Sequence, residues 1–183
     1  MQTEYGSAVN MKGAGVMKKI GILMGSDSDL PVVQKAMDTL SGLSLPFEAH
    51  IFSAHRTPGQ VAQFASSARE NGFGALIAAA GMAAHLAGAV AANTTLPVVG
   101  IPCASQNSSG MDALLSTVQM PSGIPVATVA VNGAVNAALL CAQILAVEDP
   151  ELAVKLEDMR HAGAEKVLEK DRLLQEKLNE GHF

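Results

Sequence analysis

Three short polar segments hold the residues with which this chain could do chemistry. In Ser53-Ala54-His55-Arg56-Thr57-Pro58 a histidine directly precedes an arginine. A guanidinium is a permanently charged planar fork that matches two oxygens of a phosphate, and Ser53 adds a hydroxyl donor. The His55 imidazole, of a type that titrates at about pH 6.5, is the natural proton carrier. In Gly25-Ser26-Asp27-Ser28-Asp29-Leu30-Pro31, a flexible turn supplies the hydroxyls of Ser26 and Ser28 just before a helix. The unpaired N–H groups and dipole of a helix start favour an anion. Asp29, at the rim, would repel phosphate but could accept from ribose hydroxyls. The third segment, Gly81-Met82-Ala83-Ala84-His85-Leu86-Ala87-Gly88, sets His85 among small apolar residues. Without a side chain in the way, backbone N–H groups from Gly81 onward can approach a carboxylate or CO2 closely.

Each segment also has a purely structural reading. Ser26 and Asp29 could only cap a helix, His55-Arg56 could be a surface turn, and His85 could be a satisfied core residue. Other chemistries are excluded more firmly. The chain has no Walker-type loop, no Gly-x-Gly-x-x-Gly dinucleotide fingerprint and no serine nucleophile elbow. No Cys, His or acidic cluster has metal-ligand spacing, so no metal site is expected. What remains is proton transfer by a histidine beside a bound phosphate, which suits an isomerase, mutase or lyase needing no cofactor.

The elements around these segments decide whether they meet. Ile20-Gly21-Ile22-Leu23-Met24 is a short apolar run without alternation, the mark of a parallel strand buried on both faces. Similar runs recur at 46–52, 75–80, 96–101 and 126–131, separated by helical stretches from Pro31, Pro58, Gly81, Gly110 and Ala134. Strands alternating with helices predict an α/β fold, a three-layer αβα sandwich with a central parallel sheet and an extra C-terminal helix. Ligands of such sheets gather at the carboxyl ends of strands, where strand order reverses. The three polar segments all sit at strand ends and should converge on one crevice.

Composition narrows the partners. A net charge of −5 over 183 residues disfavours nucleic acid and anionic membranes as partners. No run approaches the ~20 apolar residues of a membrane span, and Met1–Val16 lacks the apolar core of a signal peptide. Cys103 and Cys141 read as small buried hydrophobes in a reducing compartment, so the expected location is cytoplasmic. Aromatics make up only 3 %, leaving a core of small aliphatic side chains suited to close packing and subunit contacts. Residues 1–16 read as a flexible extension, 17–148 as one domain, and 149–183 as a charged helix with an apolar stripe.

Five ordered motifs then carry a resemblance. Met24-Gly25-Ser26-Asp27-Ser28-Asp29, Ser53–Pro58, Ala83-Ala84-His85-Leu86, the run from Ser116 to Val126, and Asn136-Ala137-Ala138-Leu139-Leu140 together resemble the N5-carboxyaminoimidazole ribonucleotide mutase family of de novo purine synthesis. The resemblance implies a flavodoxin-like sandwich forming a homo-octamer, with active sites where subunits meet. It implies a cofactor-free shift of a carboxylate from the exocyclic nitrogen to a ring carbon of the ribonucleotide substrate. It implies that Ser26 and Asp29 bind substrate, that Ser28, Ser53 and Arg56 hold phosphate, and that Gly81 lies at the carboxylate. His55 would be the proton shuttle and His85 a second active-site histidine. An ATP-dependent synthetase would supply the labile substrate. The chain departs from the family pattern at Ala79 and Met82, where glycine is usual, and at Ala87, where proline is usual. Met82 adds bulk beside the expected carboxylate pocket. A direct carboxylase using CO2 is the neighbouring alternative, and a non-catalytic flavodoxin-like module is a distant one.

Overall fold

A computed structural model describes residues 17–105 and 108–180 of the chain, so the Met1–Val16 extension lies outside the described residues. Five parallel strands, β1 (Lys19–Met24), β2 (Phe47–Ile51), β3 (Phe73–Gly81), β4 (Val98–Cys103) and β5 (Ala127–Thr128), form one sheet in the order β2-β1-β3-β4-β5. After β2 the chain crosses back over β1 to place β3 on its other side. Strand order therefore reverses at β1, the flavodoxin-like arrangement.

β1 explains why the strand sequences do not alternate. Ile20, Ile22 and Met24 pack on one face with Val33, Ala36 and Leu40 of α1 (Leu30–Gly42) and with Ala137, Ala138 and Cys141 of α5 (Ala134–Ala146). Leu23 points to the other face, with Leu76, with Val61 and Ala65 of α2 (Pro58–Ser67) and with Val90 of α3 (Leu86–Ala91). Both faces are buried, so both sets of positions are apolar. Gly21 marks a close approach. A Cβ there would fall 2.6 Å from Leu76 Cδ2 and 2.9 Å from Phe64 Cε1, so the missing side chain is the space that α2 packs into. Both cysteines are buried and unpaired, and burial pushes each thiol up to about 12.

Two elements are shorter than the sequence suggests. β5 pairs with β4 only through Ala127 and Thr128, not over 126–131. The next donor position on β4 is Pro102, which has no N–H to return. Beyond it the chain follows β4 by one-way bonds, Val129 N–H to Gly100 O (3.2 Å) and Asn132 N–H to Pro102 O (2.8 Å). The helix after β3 begins only at Leu86, leaving 82–85 as a turn outside both elements.

The C-terminal helix α6 (Pro150–Asn179) starts where the Asp149 carboxylate accepts Leu152 N–H at 3.0 Å. Leu152 is buried and Lys155 Nζ donates to Leu43 O at 3.2 Å, so the first two turns pack on the domain. From residue 157 onward the helix is exposed, its apolar positions Met159, Val167, Leu168, Leu174 and Leu178 included. No described helix is long and apolar enough to cross a membrane. Gly21→Ala should lower the denaturation free energy by ~1–3 kcal/mol, as overpacking does in a filled core. A wild-type urea midpoint in that variant would show that Phe64 and Leu76 have room to retreat.

Candidate active site

The turn after β1 is built by its own side chains. Ser26 N–H donates to Asp29 Oδ2 (3.2 Å) and Ser28 N–H donates to Ser26 Oγ (3.3 Å), a capping box that winds 27–29 into a short 3-10 turn ahead of α1. Asp29 is only 8 % exposed. Burial raises its carboxyl above the ordinary 3.8, the Asp27 charge adds to the rise, and the backbone N–H groups of Ser26 and Gly25 oppose it.

The turn after β2 is tied to the first. Arg56 donates from Nη2 to Gly25 O (3.1 Å) and from Nε to Ser53 Oγ (3.4 Å), so its guanidinium bridges the two strand ends. Thr57 occupies the cap position of α2, but its hydroxyl does not cap the helix. It accepts from Ser53 N–H (2.8 Å) and donates to Ser53 O (3.1 Å), closing the turn that presents His55. His55 is exposed and makes no hydrogen bond with the described residues.

These turns line one cleft of about 670 Å³ over the carboxyl ends of β1 to β4. Ser26, Ser28 and Asp29 face it from the first turn, Ser53, His55 and Arg56 from the second, and Gly81 from the end of β3. A Cβ on Gly81 would sit 3.3 Å from Cys103 O, so glycine lets the ends of β3 and β4 stay close there. Seven of the eight residues singled out from the sequence thus share one space. A larger hollow of about 940 Å³ opens at the other end of β4, but its arginine, Arg69, is engaged with Thr95 Oγ1 (3.0 Å) and it contains no histidine.

The eighth residue, His85, is exposed and does not line this cleft, although its neighbours Ala84 and Leu86 do. It is therefore not a core histidine. Its Nδ1 lies 2.5 Å from Ser116 O in α4 (Met111–Val118), and because a carbonyl only accepts, Nδ1 carries the proton. The ring lies over Gly88, where a Cβ would overlap the imidazole. Ser116 holds both ends of the 82–85 turn, since its hydroxyl also reaches Met82 O at 3.5 Å.

Sequence reasoning missed Ser116 as this clamp, and it missed the loop after β4, from which Ala104 and Ser105 complete the cleft. The Ser105 backbone is paired both ways with Ser108, at 3.1 and 3.3 Å, while its buried hydroxyl has no partner among the described residues. Nothing in Ala104-Ser105 stands out by type or spacing. Among the described residues, no group of three or more His, Cys, Asp or Glu side chains could hold a metal ion. The donors in the cleft suit a phosphate and a sugar.

Residues 19–166 match the AIR carboxylase family. The chain belongs to this family. It is 47 % identical to the N5-carboxyaminoimidazole ribonucleotide mutase of Thermotoga maritima over 160 residues, 87 % of this chain and 94 % of that one. It is 50 % identical to the Escherichia coli protein of the same name over 153 residues, 82 % of this chain and 90 % of that one. The crystal structure of Treponema denticola PurE is similar at 30 % identity with a TM-score of 0.76, covering 85 % of this chain and 97 % of that one.

The raised Asp29 carboxyl gives a prediction with a definite sign. A folded value above the unfolded one means folding favours the protonated form. Asp29 is then neutral to stability well below pH 3.8, costs more as pH rises above it, and costs the full amount beyond its folded value. Asn keeps an acceptor for Ser26 N–H without the charge. The stability of Asp29→Asn relative to wild type should therefore rise between acid and neutral pH. Urea midpoints measured across that range check it, and a relative stability that falls with pH would contradict the assignment.

Proposed function

We propose that the chain catalyses the reaction its relatives are named for, the conversion of N5-carboxyaminoimidazole ribonucleotide to 4-carboxy-5-aminoimidazole ribonucleotide in de novo purine synthesis. The observation that carries this reading is the convergence of the Ser26–Asp29 turn, the Ser53–Arg56 turn and Gly81 on one cleft where strand order reverses. Arg56, anchored through Nη2 and Nε, still has its Nη1 donors for a phosphate, with Ser28 and Ser53 beside it. Asp29 and Ser26 take the ribose hydroxyls, and Gly81 faces the carboxylate.

His55, which no described residue engages, moves the proton. The C–N bond of the carbamate breaks to release CO2, its electron pair stays on nitrogen, and protonated His55 supplies the proton. The electron-rich ring carbon then attacks CO2, forming the C–C bond, and gives its proton back to His55. Nothing is oxidised or reduced, and the histidine ends as it began. Holding the two fragments together replaces a bimolecular encounter by a positioned one.

The unit at work is proposed to be a homo-octamer in the cytoplasm, fed by an ATP-dependent synthetase that makes the labile carbamate. The exposed stripe of α6 beyond residue 157 and the exposed Met111, Leu115 and Val118 of α4 are apolar surfaces a subunit boundary would cover. His85, turned away from the cleft of its own chain, would serve catalysis across such a boundary.

A paired assay separates this reading from direct carboxylation, the reaction suggested by the family's description. One arm supplies N5-carboxyaminoimidazole ribonucleotide, the other aminoimidazole ribonucleotide with bicarbonate. Product from the first arm, insensitive to bicarbonate, supports the mutase, whereas efficient product from the second arm alone supports the carboxylase. His55→Asn should keep nucleotide affinity and lose at least ~100-fold in turnover, the usual contribution of a proton-transfer group. Turnover within a few-fold of wild type would remove His55 from the mechanism.

A further inference from the structure

Gly88 is a glycine that its own backbone does not require. It lies buried in the first turn of α3 and is not among the glycines with a left-handed backbone. Glycine is one of the least favourable residues in a helix and alanine the most favourable, and both of its helix neighbours, Ala87 and Ala89, are alanine. What the missing side chain makes room for is one group. The three atoms nearest to a Cβ at this position are Nε2, Cε1 and Cδ2 of His85, at 1.9, 2.3 and 2.6 Å, where ordinary contact begins at 3.4 Å. A side chain at 88 and the imidazole in its observed place exclude one another.

The ring lies there against the habit of its position. His85 is the N-cap residue of α3, where a side chain commonly accepts an N–H of the first turn, yet it makes no such bond. It reaches instead to α4, where Ser116 O fixes the proton on Nδ1, so that in the neutral ring Nε2 carries the lone pair. We infer that Gly88 is a positioning residue for the proposed reaction: its bare Cα lets the His85 ring lie over α3 with Nδ1–H on Ser116 O, which gives Nε2 a fixed tautomer and a fixed direction as an acceptor. The inference rests on the mutase reading above and on the place that reading gives His85. A histidine free to turn about its side-chain bonds would have to be ordered at every turnover, whereas a ring held between a carbonyl and a bare carbon is ordered once, at folding.

The test uses the full chain and three variants, Gly88→Ala, His85→Ala and the two together. For each, kcat and KM for N5-carboxyaminoimidazole ribonucleotide and the melting temperature are measured. Solid-state 15N spectra are recorded on histidine-labelled protein, where the signals missing from His85→Ala identify that ring. Gly88→Ala should lower kcat by up to ~100-fold, the scale of displacing a reacting group by about 1 Å, and leave KM near wild type. It should also move the His85 signals, and no other histidine's, away from those of a fixed Nδ1–H tautomer. Alanine suits a helix, so the melting temperature should not fall. In the His85→Ala background the same substitution should add nothing, because the ring it displaces is gone. Unchanged His85 signals or wild-type turnover in Gly88→Ala would overturn the inference. So would a loss of kcat that is the same with and without His85, the mark of a change in α3 itself. Wild-type turnover in His85→Ala would overturn it while leaving the mutase reading intact. A wild-type chain that consumes no N5-carboxyaminoimidazole ribonucleotide would overturn the mutase reading, and the inference with it.

Discussion

A parallel strand ends where its neighbours can no longer receive its N–H and C=O groups, and those groups must then find partners elsewhere. Four strands end together at one edge of this sheet, and side chains of the loops around that edge meet much of the demand. Asp29 takes Ser26 N–H, Thr57 closes on Ser53 in both directions, and Asn132 Oδ1 takes Ala104 N–H at 3.0 Å. Ser108 accepts Gly110 N–H at 3.1 Å and donates to Asp112, whose carboxyl it holds below the usual value. With that demand met, the polar groups left over in the cleft include the remaining Arg56 donors and the His55 ring, which no described residue engages.

The same economy sets the electrostatics. An anion site with a carboxylate on its rim works against itself unless the carboxylate is already committed. Asp29 is committed, because it faces inward to backbone donors and is largely shielded from water. Its cost to folding at neutral pH is the consequence of burying a carboxylate to receive backbone N–H groups at a strand end. Arg56 faces the same cleft from the next loop, and because its guanidinium also holds Gly25 O, the positive charge is tied to the turn after β1.

Much of this was legible in the sequence, for a definite reason. β1 and α5 fall where the apolar runs place them, since a strand or helix buried over most of its length leaves a pattern that no other structure explains. The phosphate turn and the His55-Arg56 pair were visible because polar residues at strand ends are chemically conspicuous. Ser116, Ala104 and Ser105 were not, because their roles come from tertiary position, two loops and a helix away from the residues they serve. His85 was placed at the correct strand end but not in the correct direction. Its ring orientation is set by Gly88 and by a carbonyl in α4, neither of which its local sequence encodes. β5 was overestimated because its length is limited by a proline in its neighbour, not by anything within itself.

A cluster of aromatic rings among the described residues lies elsewhere. His50, Phe52, Phe64 and Phe73 form one run of ring contacts with centroids 4.8 to 6.3 Å apart, while the described lining of the cleft contains no Phe, Tyr or Trp. Stacking on a side-chain ring is worth about 1–3 kcal/mol to a nucleotide base, and no described residue lining the cleft offers it. Under the proposed function, a flat heterocycle in this cleft would be held by its phosphate and its sugar and touched along its edges by alanine, serine and methionine. It would therefore keep torsional freedom about its glycosidic bond. With the phosphate end fixed and the ring the mobile end, different atoms of one substrate could be brought in turn to the same point on the wall.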